Sequence, residues 1–195
     1  MFASSTADQA EPMTAVLDEQ RLIGEAQQDP AAMTKLYRLH CAAIHGYVLR
    51  RIGNSHDADD LTADVFLSMV RALPRYRWRG APFRAWLYRL ATNEVNRWAK
   101  RRRRLAMRQV DEATFDSVAI ADEAVSGTDP EFIQAALLAL PPRLQSVLSL
   151  FYLEDMPIAD IAQVLGCREG TVKSRLSRGR ESLRKLLERR KVRYE

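Results

Sequence analysis

The last basic stretch of the chain places small and cationic side chains on one side of a predicted helix. Val172, Leu176 and Leu183 recur at helical spacing and form its inner face. The outer side and its flanks hold Arg168, Thr171, Lys173, Ser174, Ser177, Arg178 and Arg180. Hydroxyl and ammonium groups on such a helix can hydrogen-bond to base edges, and guanidinium groups can bind phosphates. The pattern predicts a DNA-reading helix, and the alternative is a plain helical hairpin with a solvated polar face.

A second candidate interface is a row of carboxylates along another predicted helix. Asp57, Asp60 and Asp64 follow each other at three-four spacing on its polar side. Carboxylates in such a row can pair with basic residues of a partner helix. The alternative is that they only favour the positive helix end and the solvent.

The acidic row also contains a DDxxxD pattern, formed by Asp59, Asp60 and Asp64, that is loosely like the magnesium-diphosphate site of all-helical isoprenoid synthases. That chemistry needs opposed metal-binding clusters around a deep apolar cavity, and the sequence has only one such acidic motif. The sequence also lacks a Ser-His-Asp set, a glycine-rich phosphate loop and a paired-carboxylate site with a plausible base. We therefore expect a binding protein without a cofactor rather than an enzyme.

Histidine and cysteine spacing does not favour a metal site. His40, Cys41 and His45 would point in different directions on a helix, because adjacent residues are about 100° apart. Cys41 and Cys167 make no CxxC pair, so neither a zinc knuckle nor a disulfide framework is indicated. The sequence has no long uncharged apolar run, and its first residues lack the basic start and apolar stretch of a leader. We expect a cytoplasmic location.

Charge is concentrated in three blocks of the chain. Residues 71–108 hold 13 basic and 1 acidic side chains, and residues 168–195 hold 11 and 4. Between them, residues 109–131 hold 7 acidic side chains and no basic one. Two basic blocks far apart in sequence favour two surfaces for a polyanion, since cations near phosphates release condensed counterions. Nucleic acid is the expected partner, and two solvated charged faces are the alternative.

Helices must position these side chains, because every long periodic stretch has helical spacing. Three helices are predicted before the acidic block, through residues 33–48, from HDADD to Pro74, and over residues 83–104. Four follow it, over residues 131–140, 143–152, 157–165 and 169–190. We predict an all-α chain of two small helical domains joined by a flexible acidic linker, the C-terminal one a helix-turn-helix. The predicted boundaries are a disordered N-terminus at 1–16, domains at 17–106 and 132–195, and the linker at 107–131.

Two long stretches resemble one protein family. The stretch LPPRLQSVLSLFYLEDMPIADIAQVLGCREGTVKSRLSRGRESLRKLL resembles region four of the extracytoplasmic function (ECF) sigma factors, the bacterial initiation subunits of RNA polymerase. The stretch DADDLTADVFLSMVRALPRYRWRGAPFRAWLYRLATNEVNRWAKRRRR resembles their region two. The resemblance implies a transcription initiation factor that binds core RNA polymerase, directs it to specific promoters and assists promoter melting.

The resemblance also implies partners for each region. Region two of the family binds a coiled coil in the largest polymerase subunit and opens the minus-ten element. Region four docks on the flap of the second-largest subunit and reads the minus-thirty-five element. Many relatives are held inactive by an anti-sigma factor, so such a partner is expected. The acidic linker resembles the family segment that threads toward the RNA path of polymerase, where it would occupy basic surface; disorder without a specific role is the alternative.

Individual roles in region two follow from the resemblance. Asp60 and Asp64 match positions that contact the polymerase coiled coil. Trp78 matches the loop that receives a flipped base, with Asn93 beside it. Extruded bases are held on aromatic rings. The expected minus-ten and melting set is Arg75, Trp78, Arg79, Trp86, Tyr88, Asn93, Arg97 and Arg101, with packing in the core as an equal alternative for Trp86.

Three positions depart from the family pattern. Ala63 stands where a glutamine is common, and Arg97 stands where a carboxylate is common. Arg168 replaces a serine in the turn, which removes a side-chain cap but places a cation within reach of a phosphate. The departure at Arg97 bears on minus-ten specificity.

A stand-alone helix-turn-helix regulator is the other interpretation of the C-terminal block. It accounts for residues 168–195 but leaves the tryptophan- and arginine-rich segment without a purpose, and no phosphoacceptor or ligand-binding domain is evident. Such a regulator would bind duplex DNA tightly without polymerase, whereas a sigma factor should need the core enzyme.

Overall fold

Short polar residues and glycines mark where the helices begin and end. The Asp29 carboxylate caps the second helix by accepting a hydrogen bond from the Ala31 amide at 2.9 Å. That helix ends at Gly53, whose φ of 73° favours a residue without a side chain. Asn54 then caps the third helix, where its side chain accepts from the Asp57 amide at 2.9 Å. The glycine and the asparagine cap thus allow two long helices to be joined by only Gly53 and Asn54.

The computed structural model describes residues 10–78, 80–110 and 130–191, with side chains over 18–78, 80–105 and 133–188, and all regular structure within these ranges is helical. The N-terminal helices are α1 (Ala10–Ala26), α2 (Pro30–Ile52), α3 (Ser55–Ala72) and α4 (Phe83–Val110), with a 3₁₀ turn at Leu73–Arg75. The C-terminal helices are α5 (Pro130–Leu138), α6 (Pro142–Leu148), α7 (Ile158–Leu165) and α8 (Glu169–Lys191), with a π-helical turn at Ser149–Leu153. The predicted all-α class is confirmed.

Helices α1 to α4 pack around a shared apolar core. The apolar side of α3 faces this core, because Leu61, Val65 and Met69 are all buried. Other fully buried side chains come from α2 and α4; they include Leu36, Ile44, Tyr47, Val48, Phe83, Leu87 and Ala91. Burial of these apolar surfaces, at roughly 25 cal/mol per Å², holds α4 in place and fixes which of its faces is left for function.

Helix α1 joins the N-terminal cluster. It runs from Ala10 to Ala26, and the predicted domain boundary at residue 17 stays a prediction. Its C-terminal part packs Ile23 into the core, and the Gln27 amide that follows it donates to the carbonyls of Leu73 at 3.1 Å and Tyr76 at 3.0 Å. These partners lie more than 40 positions away in sequence, so a local pattern does not reveal them.

Helices α5 to α8 form a second cluster. Its buried side chains include Val147, Leu148, Leu150, Ile161, Val172 and Leu176. The sequence predicted one helix over residues 143–152, but α6 ends at Leu148 and a π-helical turn follows. In that turn the Glu154 amide donates to the Ser149 carbonyl at 3.1 Å. Apolar spacing does not distinguish one widened turn from a continuing α-helix.

The two clusters are in contact with each other. Helix α4 packs against α7, and α2 packs against α5 and the π-helical turn. The predicted linker at 107–131 overlaps α4 and α5 at its ends, and its residues 111–129 lie outside the described residues. Its flexibility and role therefore stay predictions.

Candidate nucleic-acid and polymerase interfaces

Helices α7 and α8 form the predicted helix-turn-helix. Helix α7 ends at Gly166, whose φ of 60° lies in the left-handed region and lets the chain reverse direction. Val172 and Leu176 of α8 are buried, and Leu183 is half-buried. The predicted inner face is therefore the packed face of α8.

The side chains predicted to contact the minus-thirty-five element lie on the outer side of this motif. Six are exposed and Thr171 is half-buried; the exposed ones are Arg168, Lys173, Ser174, Ser177, Arg178 and Arg180. The Ser174 hydroxyl donates to the Thr171 carbonyl at 3.0 Å, and Arg178 Nε lies 3.4 Å from the Ser174 carbonyl oxygen. Arg180 Nη1 donates a hydrogen bond to the Tyr152 hydroxyl at 3.4 Å. This face is polar, cationic and open, as a groove-reading helix requires.

An arginine-lined pocket of about 320 Å³ lies between the loop after α3 and the start of α4. Its two rings belong to Tyr76 and Trp86, whose centroids are 4.8 Å apart at an interplanar angle of 54°. The remaining walls come from Arg75, Arg77, Ala81, Ala85, Arg89 and Gln163. Aromatic rings flanked by guanidinium groups suit an unstacked base together with its phosphate.

Besides Arg75, three more predicted residues belong to this region, and they have different environments. Trp86 is half-buried, lines the pocket and packs on Phe83 with centroids 5.2 Å apart, so both of its expected roles remain open to it. Trp78 is half-buried and packs on the core, and it is not one of the residues that line the pocket. Arg79 lies outside the described residues. Sequence reasoning missed Tyr76 as a pocket ring, although its place between two arginines in RYRWR was a usable signal.

Tyr88 is not presented to DNA in this arrangement of the chain. Its side chain is buried, its ring packs edge-on against Tyr47 with centroids 5.2 Å apart, and its hydroxyl donates to the Glu154 carboxylate. Burial first, and then this hydrogen bond, raises the pKa of the Tyr88 hydroxyl above its usual value. We predicted Tyr88 as a base-contacting ring; in this arrangement its ring lies on the packed face of α4, and its role in promoter opening stays a prediction.

Asn93 lies in a basic groove of about 970 Å³ between α4 and the C-terminal cluster. The α4 side of the groove carries Asn93, Asn96, Lys100, Arg103 and Arg104. The opposite side carries two more cations, Arg143 and Arg175. Arg101 is exposed one turn from the groove residues of α4. The groove matches the electrostatic needs of a nucleic-acid backbone.

Arg97 is tied to a neighbouring carboxylate. Its guanidinium donates to Glu94 at 2.6 Å, and the buried Glu94 also accepts from the Ser68 hydroxyl at 2.8 Å. The cation at this position therefore compensates a buried acid of the same helix. The side chain of Arg97 is 62% exposed, so it can also approach a phosphate.

The carboxylates of α3 fall into two groups. Asp57 lies 3.6 Å from Arg102 of α4 and belongs to an internal ion pair. Asp60 and Asp64 are exposed, and among the residues whose side chains are described neither has an ion-pair partner. Leu67, one turn further on, is 51% exposed. Asp60, Asp64 and Leu67 thus form an acidic face with an apolar edge that none of the side chains described by the structure covers.

The two histidines weighed for metal binding lie near carboxylates. His45 lies 3.0 Å from Asp59, and His40 lies 3.6 Å from Glu19, where burial lowers the pKa of the imidazole. Over the described residues, no group of three or more His, Cys, Asp or Glu side chains is arranged to hold a metal ion. Over the same residues, no helix has the length and apolar content needed to span a bilayer.

Comparison with known proteins identifies both halves of the chain. The family model described as Sigma-70 region 2 matches residues 36–105, and the model described as Sigma-70, region 4 matches residues 133–183. The chain is 34% identical to the ECF RNA polymerase sigma factor SigE of Mycolicibacterium smegmatis over 174 residues, covering 84% of this chain and 65% of that protein. It is 32% identical to SigM of Mycobacterium tuberculosis over 170 residues, covering 87% and 84%.

Two solved structures have a similar fold. One is the sigma factor RpoE in complex with the anti-sigma factor NepR from Bartonella quintana, with a TM-score of 0.64, 25% identity, and coverage of 80% of this chain and 96% of that one. The other is CnrH in complex with the cytosolic domain of CnrY, with a TM-score of 0.63, 25% identity, and coverage of 86% and 95%. Together with the two matched regions and their helix-turn-helix, these similarities place the chain in the ECF family of RNA polymerase sigma factors, the transcription initiation factors that direct the polymerase to promoters.

Proposed function

We propose that this chain binds core RNA polymerase through Asp60 and Asp64, opens the minus-ten element with the α3–α4 loop and α4, and reads the minus-thirty-five element with α8. The observation that carries the proposal is the arginine-lined pocket of Tyr76 and Trp86. A protein that only reads duplex DNA needs no pocket for an unstacked base, whereas promoter opening does.

The charge distribution supports the same roles for α3, α4 and α8. Further along α4, a strip of exposed cations that includes Lys100, Arg101 and Arg104 suits the backbone of a separated strand. On α8, cations flank hydroxyl groups, as expected of a helix that must both grip phosphates and discriminate base edges. The acidic face at Asp60 and Asp64 has the opposite sign and suits a basic protein helix.

Partners and location follow from the same assignment. The partners are core polymerase, through the largest-subunit coiled coil and the flap of the second-largest subunit, and promoter DNA. An anti-sigma factor is a further partner, supported by the two similar sigma factors that were solved as anti-sigma complexes. The chain would act in the cytoplasm, at the nucleoid, by binding and without catalysis of its own. We propose the boundaries 17–106 for region two and 132–195 for region four, which contain the residues matched by the two family models.

The stand-alone regulator is distinguished by an electrophoretic mobility shift with and without core enzyme. We expect the full-length chain to bind promoter duplex weakly alone and tightly once core polymerase is added. Tight, sequence-specific binding that is unchanged by core enzyme would contradict the proposal.

Replacing Ser177 by alanine is expected to change base preference at one or a few positions of the minus-thirty-five element. The hydroxyl is exposed on the outer side of α8, and a direct base contact contributes about 1–3 kcal/mol of discrimination. The measurement is binding of the core-bound chain to a promoter library randomised over this element. Arg178→Ala is the matched control: it should weaken all sequences alike and reduce the salt dependence. An unchanged preference profile for Ser177→Ala would rule out a base-reading role.

A further inference from the structure

The end of α1 contacts the α3–α4 loop at both ends of that loop. At the start of the loop, the Gln27 side-chain amide donates to the Leu73 carbonyl at 3.1 Å and to the Tyr76 carbonyl at 3.0 Å. At its end, the Glu19 carboxyl accepts a hydrogen bond from the backbone amide of Phe83, the first residue of α4. Glu19 and Gln27 are eight positions apart, which is about two helical turns, so one side of this segment faces both ends of the loop.

The backbone that carries Gln27 is anchored in the core that α1 to α4 share. Ile23 and Ala26 are only 4% and 3% exposed and belong to that core. The Gln27 backbone amide donates to the Ile23 carbonyl at 3.2 Å, which continues the hydrogen bonding of α1 by one residue. The side chain of Gln27 is itself half-buried. Its amide is therefore a fixed donor rather than a mobile surface group.

The two carbonyls that bind Gln27 belong to the turn that places Tyr76. The Tyr76 backbone amide donates to the Leu73 carbonyl at 2.9 Å, which closes the 3₁₀ turn. Gln27 bridges the carbonyls at the two ends of this closure. Leu73 is fully buried, so one end of the turn is fixed in the core. Gln27 ties the other end, at Tyr76, to the same core.

The Tyr76 ring lies between the core and the arginine-lined pocket. It packs edge-on against the buried Phe83 ring with centroids 5.4 Å apart, and beside the Trp86 ring at 4.8 Å. Burial first, and then the nearby Glu19 carboxylate, raises the pKa of the Tyr76 hydroxyl. The described residues between the 3₁₀ turn and α4 lie outside helices, so helical hydrogen bonds do not hold this segment. The position of the ring in the pocket therefore depends on contacts such as those of Gln27.

We infer that Gln27 is a positioning residue for promoter opening: its amide holds the backbone at Leu73 and Tyr76 and so fixes where the Tyr76 ring lies in the pocket. The inference rests on the proposed function, because that function assigns the pocket to an unstacked base. A stacking ring binds a base more tightly when it is already held in place, since little conformational freedom is then lost on binding. Gln27 needs no contact with DNA, because it acts through Tyr76.

The test variants remove the two hydrogen bonds of Gln27 and keep the size of its side chain. Gln27→Met has no donor, and Gln27→Glu has nearly the same shape but, when ionised, only acceptors. Gln28→Met is the matched control, since Gln28 is the adjacent glutamine and is exposed. All three variants should bind core polymerase with the affinity of the wild type.

Hydrogen exchange in the free chain tests the positioning itself, without polymerase or DNA. Backbone amides in peptides of residues 73–78 should exchange about tenfold faster in Gln27→Met and Gln27→Glu, because two hydrogen bonds to this turn are lost. Peptides of residues 87–95, in the buried part of α4, should exchange as in the wild type. Unchanged exchange over residues 73–78 would overturn the inference. Equal acceleration over both sets of residues would show a general loss of stability and would overturn it as well.

Promoter opening gives the functional readout, measured as permanganate reactivity of unpaired thymines with core enzyme and saturating chain. Gln27→Met should lower the population of open complex about tenfold, whereas Gln28→Met should leave it unchanged. Tyr76→Ala should also lower it, and the double variant should open no less than Tyr76→Ala alone, because Gln27 then has no ring to position. Normal opening by Gln27→Met, or losses that add in the double variant, would overturn the positioning role.

Failure of the proposed function gives a different result. If the wild type opens no promoter with core enzyme, the pocket has no role in opening and the inference fails with it, whatever the exchange over residues 73–78 shows. If the wild type opens the promoter and Gln27→Met opens it equally well, the positioning role alone is lost and the proposed function stands.

Discussion

Replacing Trp78 by alanine is expected to reduce promoter opening strongly while core binding persists. Trp78 follows Arg77 of the arginine-lined pocket in the loop that leads into α4, and its ring contributes little to the deepest part of the core because it is only half-buried. Loss of one base-stacking ring costs about 1–3 kcal/mol, or roughly 5- to 150-fold in the population of open complex. The measurement is permanganate reactivity of unpaired thymines in a complex of core enzyme, chain and promoter.

Two controls distinguish a role of Trp78 in base stacking from a role in packing. Trp78→Phe keeps a ring and should retain much of the opening that alanine loses. Thermal unfolding of both variants should give midpoints near that of the wild type. Normal opening by Trp78→Ala together with a clearly lowered midpoint would show that Trp78 is a packing residue and that Tyr76 and Trp86 hold the base without it.

Replacing both Asp60 and Asp64 by alanine is expected to weaken binding to core polymerase several-fold or more without destabilising the chain. Both carboxylates are exposed, and among the described side chains neither is paired, so their removal should change the free energy of unfolding by only about 0–1 kcal/mol each. Interface charges act on association rate and partner choice, which gives them a larger effect on binding. The measurement is affinity of the full-length variant for core enzyme alongside its thermal midpoint.

Asp59 supplies a matched control on the same helix. It carries the same charge but lies 3.0 Å from His45, so it already has a partner within the chain. Asp59→Ala should leave core affinity nearly unchanged. Equal affinities for the double variant, the control and the wild type would mean that the acidic face is only solvated surface.

The helix-turn-helix could be predicted from sequence because its determinants are local. Helical spacing alone placed Val172 and Leu176 inside and Lys173 and Ser177 outside, as the structure has them. The exposure of Asp60 and Asp64 followed from the same reasoning on α3. In these elements one face is fixed by burial, so the opposite face is available for function.

Contacts between distant parts of the chain could not be predicted in this way. Tyr88 has the residue type of a base-contacting ring, but its partner Glu154 is 66 positions away and decides that it is buried. Arg50 and Glu154, which pair in the structure, are 104 positions apart in the sequence. The π-helical turn before Glu154 cannot be recognised from the spacing of the apolar residues. Residue type indicates what a side chain can do, whereas tertiary packing decides what it is free to do.

Transcription in vitro with purified core RNA polymerase, followed by mapping of RNA start sites, tests the central claim most directly. We predict that core enzyme alone gives no discrete starts on genomic fragments and that addition of the chain gives a defined set of starts. These starts should lie downstream of shared minus-thirty-five and minus-ten elements. Tight duplex binding by the chain alone, with no new start sites in the presence of core enzyme, would contradict the assignment as a sigma factor.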